Sequence, residues 1–294
     1  MSIVRVHFIG IGKMGLPMAL HLHAAGHAVS VFDADAQRQM LGHAQGLAVA
    51  DDADQAIGAS EVVFSSLSND AALLNVAGRL ASAAQPGTVY VDTSTVSPEA
   101  SAVAAQTLGA AGVLYLRAPV SGNNRMAEAA ALTVMASGPR AAYDLVEPLL
   151  ALLGANRFYL GEAEEARLMK LVVNLMIAQT SAMLAEALTL GRKGGLEWQD
   201  MWRVLTASAV ASPIVKAKAA QLSVRDFTPT FTVEQMLKDL GLILGAGAAN
   251  RVPLPQTALT FQLMQTAAAQ GDAQDDYAAI IKAVERSAGL GTEL

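Results

Sequence analysis

The chain contains no cysteine, which excludes disulfides, thiol nucleophiles and thiolate metal sites together. Histidine is scarce: the five stand at positions 7, 21, 23, 27 and 43. Beyond His43 no imidazole is available as an acid, a base or a ligand, and no metal site is expected; His21 and His23 read as helix-surface residues. Charge is sparse too, at 16% of residues with a net charge of −6. The lysines and arginines are scattered without a basic stripe, so nucleic acid is not an expected partner. Set against 53% hydrophobic residues, this low charge points to subunit contacts that bury part of the surface, and a homodimer or homotetramer is expected. Internal repeats, low-complexity tracts and blocks of like charge are absent. A secretory signal is not expected, because Val4 opens the strand that feeds the first glycine turn. The longest apolar helical run, Leu171 to Ala185, is broken by Asn174, Gln179 and Thr180 and is too short for a bilayer. A cytoplasmic protein without a membrane partner is the expectation.

What is present begins with VRVHFIGIGKMGLPMALHL, Val4 to Leu22. Gly10, Gly12 and Gly15 satisfy G-x-G-x-x-G between a predicted strand (Ile3 to Ile9) and a predicted helix (Met14 to Ala25), the context that the motif requires. The first glycine permits the tight turn and the second lets backbone approach a pyrophosphate. The third lets helix and strand pack closely, with the helix N-terminus facing the anion. A glycine-rich βα turn of another α/β protein has the same bare pattern, and position separates the two. Val29 to Phe32 reads as the next strand, closed by Asp33 about 20 residues past the loop, where a carboxylate accepts from an adenosine ribose. Lys13 and Met14 belong to the same dinucleotide loop. Asp33 repels a 2′-phosphate and Ala34 and Ala36 offer it no cation, so NAD is expected over NADP, with Arg38 as the reservation and NADP still possible.

The 294 residues suffice for about two domains. Strand-like runs at Glu61 to Leu67, Thr88 to Asp92, Val113 to Arg117, Leu132 to Ala136 and Arg157 to Leu160 alternate with alanine-rich helical segments, the sign of βαβ units and a largely parallel sheet. After about Glu162 strand signals nearly vanish. Ala166 to Lys193 forms one long helical pattern ended by Gly194 and Gly195, and shorter helices follow, punctuated by Pro213, Pro229, Pro253 and Pro255. The fold expected is α/β: an N-terminal Rossmann doubly wound sheet over residues 1–161, then residues 162–294 as a long interdomain helix and an all-α C-terminal domain for substrate and dimerisation.

Five stretches in one order, GIGKMGLPMA (Gly10 to Ala19), VDTSTVSP (Val91 to Pro98), APVSGNN (Ala118 to Asn124), MKLVVN (Met169 to Asn174) and MLKDLGL (Met236 to Leu242), resemble the β-hydroxyacid dehydrogenase family over nearly the whole chain. That family includes 3-hydroxyisobutyrate dehydrogenases and tartronate semialdehyde reductases and is 6-phosphogluconate dehydrogenase-like. Around FYLG (Phe158 to Gly161), MKLVVN and SPIVKAK (Ser212 to Lys218) the chain looks closest to the glyoxylate and succinic semialdehyde reductase branch. The resemblance implies an NAD(P)-dependent enzyme that interconverts a small β-hydroxyacid and its semialdehyde. It makes Lys170 the proton donor or acceptor and assigns the substrate to Ser121, Gly122, Asn123, Asn174 and Phe231. Ser94, Thr95 and Lys238 go to the nicotinamide side, and Leu67, Ser68 and Asn69 line the pyrophosphate and ribose path chiefly through backbone. Lys170 and Asn174, spaced i, i+4, share one helix face and can meet one ligand. A free lysine with a pKa of about 10.4 is a poor base, so burial and a nearby cation, Lys238 or oxidised nicotinamide, are expected to lower it. Phe231, seven residues before Lys238, is expected on the same face of one helix.

Each residue also has an ordinary reading. Lys170 alone could snorkel from a helix, Asn174 could be a satisfied polar group, Ser121 to Asn123 plain turn chemistry, and Lys238 with Asp239 a surface ion pair, the better reading for Asp239. The chain departs from the family where GEAEEARLMK replaces several glycines and where Ala130 and Ala131 replace another. Glu164 and Glu165 either face solvent at a helix start or approach Lys170 and favour its charged form. The alternatives left open are an NADPH-dependent glyoxylate/succinic semialdehyde or imine reductase and, from another class, a catalytically silent NAD-binding protein.

Overall fold

The computed structural model describes residues 3–291. The chain runs β1 (Arg5–Ile9), α1 (Gly15–Ala24), β2 (Ala28–Phe32), α2 (Ala36–Ala44), β3 (Ala48–Val49), α3 (Ala53–Ala59), β4 (Val62–Ser65), α4 (Asp70–Ala83), β5 (Val89–Asp92), α5 (Pro98–Ala110) and β6 (Leu114–Arg117). It continues through β7 (Val120–Ser121), α6 (Asn124–Glu128), β8 (Thr133–Ala136), α7 (Arg140–Leu150) and β9 (Asn156–Tyr159). Among the described residues five shorter α-helices follow the 29-residue α8 (Glu165–Lys193): α9 (Trp198–Ala207), α10 (Pro213–Leu222), α11 (Val233–Ala249), α12 (Pro255–Ala267) and α13 (Ile280–Ser287). Two compact units divide inside α8, at Lys170 and Leu171.

In the first unit six parallel strands are ordered β3-β2-β1-β4-β5-β6. The short apolar strands VVFS and VYVD are buried throughout, as strands covered on both faces must be. Alternation sends Phe8, Phe64 and Val91 into one apolar layer with Met18 and Leu22, and Val63, Tyr90 and Tyr115 into the other with Leu73 and Leu108. The order reverses between β1 and β4, which puts the turns after β1, β4 and β5 at the ligand-binding edge of such sheets.

The runs at Leu132 to Ala136 and Arg157 to Leu160 do not extend this sheet. They form a separate sheet ordered β7-β8-β9, antiparallel at Val120↔Val134 and parallel at Met135↔Phe158. Pro119 has no N–H with which to prolong the β6 ladder; its carbonyl accepts from Met135 N–H at 3.0 Å, and the chain turns into β7. Ser121 is therefore a strand residue rather than part of a simple turn.

The second unit packs Leu171, Leu188, Trp198, Trp202, Leu222 and Met236 in one core with residues of α12 and α13. Its helices start where the prolines direct: Ser212 caps α10 with Pro213 in the first turn, and Pro255 opens α12. Leu196 N–H reaches the Gly191 carbonyl at 3.0 Å beyond the end of α8, a bond that closes a helix C-terminus. Among the described helices α8 alone is long and apolar enough to cross a membrane, with a mean hydropathy of 1.5 over a window that is 44% buried. The apolar run Leu171 to Ala185 understates it, because helix formers continue on both sides.

His7, fully buried in β1, bonds Ser30 Oγ through Nδ1 at 2.8 Å, and its Nε2 has no partner. Burial first, then the Arg79 charge, lowers its pKa from 6.5 to about 4. The unfolded chain therefore takes up this proton first, and the stability contributed is complete above pH 6.5 and lost as pH falls towards 4. Denaturant unfolding at pH 6.5 and 5 is expected to show a wild-type loss larger than that of His7→Leu by about 1.4 kcal/mol per pH unit. Equal losses would rule out His7 as the source.

Candidate active site

The glycine loop has the shape a dinucleotide needs. Gly10 adopts φ +85°, and a Cβ there would lie 2.4 Å from the Ser66 carbonyl oxygen; a Cβ on Gly15 would lie 1.9 Å from the Gly10 oxygen. These two glycines are required by close backbone approach. A Cβ on Gly12 would meet nothing within 4 Å, so this position keeps open the approach a pyrophosphate would use. No side chain caps α1, which leaves its N-terminus able to receive an anion. Lys13 is exposed and Met14 half-buried beside it. Asp33, half-buried at the end of β2, accepts from Ile11 N–H at 2.8 Å and from Asp35 N–H at 2.9 Å. It thus pins the loop, and each oxygen retains a lone pair for a ribose hydroxyl.

After β4, Leu67 donates its N–H to Ser94 Oγ at 2.7 Å. Ser68 is exposed, and Asn69 spends its side-chain oxygen capping α4 through Ala72 N–H. Ser94 is buried and Thr95 half-buried past the end of β5. Beneath them Asp92, with no exposed surface, accepts from Ser65 Oγ at 2.6 Å and from the Ser94 hydroxyl. Its cation is Arg167 of α8, only 1% exposed. Arg167 also donates to the Ser94 carbonyl at 2.6 Å, to Tyr115 OH at 2.8 Å and to Ser101 Oγ at 3.3 Å. Asp92 and Arg167 escaped the reading of the sequence; the available signal was a carboxylate ending an apolar strand and an arginine three residues before Lys170.

Glu164 does not face solvent freely: it pairs with Arg117 of β6, whose guanidinium lies 4.6 Å from the Tyr115 ring. Glu165 is exposed and accepts from Ala163 N–H at 2.7 Å. Ser121 is half-buried and Gly122 exposed; the Asn123 side chain caps the short α6 by accepting from Met126 N–H at 3.1 Å. A carboxylate cradle there has the Ser121 hydroxyl, the Asn123 Nδ2 and backbone N–H groups as donors.

Lys170 and Asn174 are both buried, one turn apart on α8. Asn174 Nδ2 donates to Asp239 Oδ2 at 2.5 Å, and Asp239 is itself buried, with Lys238 Nζ 2.9 Å from its other oxygen. The expectation of a surface residue at Asp239 is corrected: α11 turns it inward among Met236, Leu240 and Ile243. An acceptor-only carboxylate also fixes the amide, directing Asn174 Oδ1 away from it. Phe231 is not on that helix. The capping box of Thr232 and Gln235 starts α11 after it, and its half-buried ring packs edge-on against Tyr277 at 6.2 Å.

A profile described as the NAD binding domain of 6-phosphogluconate dehydrogenase matches residues 5–161, and one described as the NAD-binding of NADP-dependent 3-hydroxyisobutyrate dehydrogenase matches residues 165–284. The chain is 35% identical to the 2-(hydroxymethyl)glutarate dehydrogenase of Eubacterium barkeri, over 98% of this chain and 97% of that protein. It is 28% identical to glyoxylate/succinic semialdehyde reductase 1 of Arabidopsis thaliana, over 97% and 99%. The structure of Mycobacterium tuberculosis 3-hydroxyisobutyrate dehydrogenase with L-serine matches with a TM-score of 0.87 and 28% identity, over 95% of this chain and 98% of that one. The chain belongs to the β-hydroxyacid dehydrogenase family and is an NAD(P)-dependent oxidoreductase.

The loop geometry separates two glycine variants. Gly12→Ala is expected to fold with an unchanged melting temperature while weakening NADH binding at least about tenfold, because its methyl enters the pyrophosphate approach. Gly15→Ala is expected to destabilise the fold itself. Fluorescence titration and thermal melts check both, and wild-type affinity in Gly12→Ala would refute the placement.

Proposed function

We propose that this enzyme interconverts a small β-hydroxyacid and its semialdehyde with NAD(H), Lys170 exchanging the proton at the reacting oxygen. The observation that carries the reading is a buried lysine one turn from an asparagine whose amide is locked by Asp239. The nicotinamide, when bound, supplies or accepts the hydride. Lys170 Nζ donates to a carbonyl oxygen in reduction or takes the hydroxyl proton in oxidation, and Asn174, its Oδ1 directed away from Asp239, is assigned to the substrate beside it. Ser121, Gly122 and Asn123 receive the substrate carboxylate through the Ser121 hydroxyl, the Asn123 Nδ2 and backbone N–H groups, and Phe231 is also assigned to the substrate. The 2-(hydroxymethyl)glutarate named for one relative has a hydroxymethyl group on the carbon bearing a carboxylate, the same spacing as in 3-hydroxyisobutyrate, which supports this class. Of the two carboxylates before Lys170, Glu164 pairs with Arg117 and Glu165 accepts from Ala163 N–H.

The residues assigned to cofactor are Gly10, Gly12, Lys13, Met14, Gly15, Asp33, Leu67, Ser68, Asn69, Ser94, Thr95 and Lys238. Asp33 favours NAD over NADP by repelling a 2′-phosphate. A panel of hydroxyacids assayed with each cofactor tests the reading. Activity is expected on β-hydroxyacids, with a higher kcat/KM for NAD, and Lys170→Ala is expected to lower kcat by about 10²- to 10⁴-fold with NADH affinity intact. Near-native turnover in that variant would make Lys170 structural; an NADP preference would overturn the role of Asp33.

The assembly proposed is a cytoplasmic homodimer or homotetramer without nucleic-acid or membrane partners. Met169, Met176, Met183 and Leu190 are exposed on α8, and their seven-residue spacing forms one stripe suited to a helix of a second copy. Sedimentation of a detergent-free extract is expected to show a soluble dimer or tetramer, and Met176→Lys with Met183→Lys is expected to yield monomer. A wild-type monomer, or pelleting with membranes, would reject the assignment.

A further inference from the structure

Arg167 contacts neither substrate nor cofactor in the reading above, yet it lies three residues before Lys170 on α8, on the same helix face. Few side chains in the protein are as large and as completely buried. Its guanidinium bridges the neighbouring strands β5 and β6. One amino group reaches the Ser94 carbonyl past β5, and the other reaches both Asp92 and Tyr115 OH. Asp92 in turn gathers the hydroxyls of Ser65, at the end of β4, and Ser94, while Ser94 Oγ receives the Leu67 N–H. Ser94 and Leu67 are among the residues assigned to the cofactor. A planar fork holds several such acceptors in fixed directions, which the single ammonium of a lysine does not.

We propose that Arg167 is a positioning residue, which with Asp92 fixes the turn of α8 bearing Lys170 against the Ser94–Leu67 rim of the cofactor site. The inference rests on the reading that Lys170 exchanges the proton. A second ion pair, Arg117 with Glu164, holds the start of the same helix to β6; the Arg117 guanidinium reaches Ser101 Oγ, which Arg167 shares, while the Asp92 carboxylate and the Ser94 carbonyl take Arg167. One clamp is thus bonded directly to the cofactor rim and the other joins it only through shared neighbours, Ser101 and Tyr115, and their effects on chemistry are expected to differ.

The experiment uses the full chain with the best hydroxyacid of the panel. It compares Arg167→Gln/Asp92→Asn, which removes both charges, with Arg167→Lys, Glu164→Gln and Lys170→Ala. The readouts are kcat, NADH affinity by fluorescence, the primary isotope effect with the hydroxyacid deuterated at its carbinol carbon, and the melting temperature. A misplacement of the proton-transfer group is expected to cost the neutral double variant about 10- to 100-fold in kcat. Its NADH affinity should stay within about threefold and its isotope effect should rise as the chemical step becomes limiting. Arg167→Lys is expected to retain part of the rate, about fivefold below wild type, and Glu164→Gln is expected to match wild type even if it melts earlier. Wild-type kcat in the double variant, or a fall only in step with NADH affinity, would overturn the proposal. If the double variant does not fold, Arg167→Lys decides: an unchanged kcat overturns the proposal, and a loss confined to kcat with a larger isotope effect supports it. Full turnover in Lys170→Ala overturns the underlying reading instead, whereas its collapse beside a normal double variant overturns this inference alone.

Discussion

A carboxylate with no exposed surface constrains the first unit more than any other group. Asp92 ends an apolar strand at the edge where the sheet offers its ligand-binding turns, and an isolated charge there would be prohibitively expensive to desolvate. It is stabilised by a guanidinium and by serine hydroxyls, and Arg167 is satisfied in return by Asp92, Tyr115, Ser101 and the Ser94 carbonyl. Burial opposes the charge of Arg167, but Tyr115 and Asp92 outweigh it and hold the group protonated. Burial likewise raises the pKa values of Tyr90 and Tyr115, whose rings stack 5.3 Å apart, so both serve as neutral hydroxyls. Breaking one side of such a pair costs about 3–5 kcal/mol, a large part of a domain's net stability.

The second unit solves the same problem twice. Glu285, with no exposed surface, receives Arg225 through both oxygens and Arg192 as well. Asp276, equally buried, pairs with Lys218 at 2.5 Å and accepts from Thr230, while the Tyr277 ring lies 4.1 Å from the same ammonium. Burial lowers the pKa of Lys218 and Asp276 opposes that shift. In a chain with so few charges, several of those present are interior and specific, and they decide where α8, α10 and α13 are anchored within their own units. Asp239 belongs to this group, and its consequence is chemical: by accepting from Asn174 it settles which end of the amide a ligand would meet.

Much of this was legible in the sequence because it was local. The glycine loop is written in consecutive residues, and its strand and helix are marked by a change of period from two to 3.6. The long helix shows as a single pattern closed by Gly194 and Gly195, and Ser212-Pro213 announces α10. Where local signals competed, the reading failed. Phe231 seemed to continue α11 by spacing, but the capping box at Thr232 starts the helix later; Pro119 diverted the chain into a second sheet that alternation alone could not separate from the first.

The sequence by itself determined the α/β class, the strand-loop-helix that a dinucleotide requires, and the spacing that sets Lys170 and Asn174 on one face of one helix. These follow from rules that act within one or two turns or one strand. Only the tertiary structure decided that Asp92 finds Arg167, 75 residues away, that Asn174 finds Asp239, 65 residues away, and that Glu164 turns to Arg117 rather than to solvent. A charge in a sequence has no direction. Its partner is chosen by which segments the packed core brings together and by the cost of leaving either member buried alone, and neither has a periodic signature along the chain.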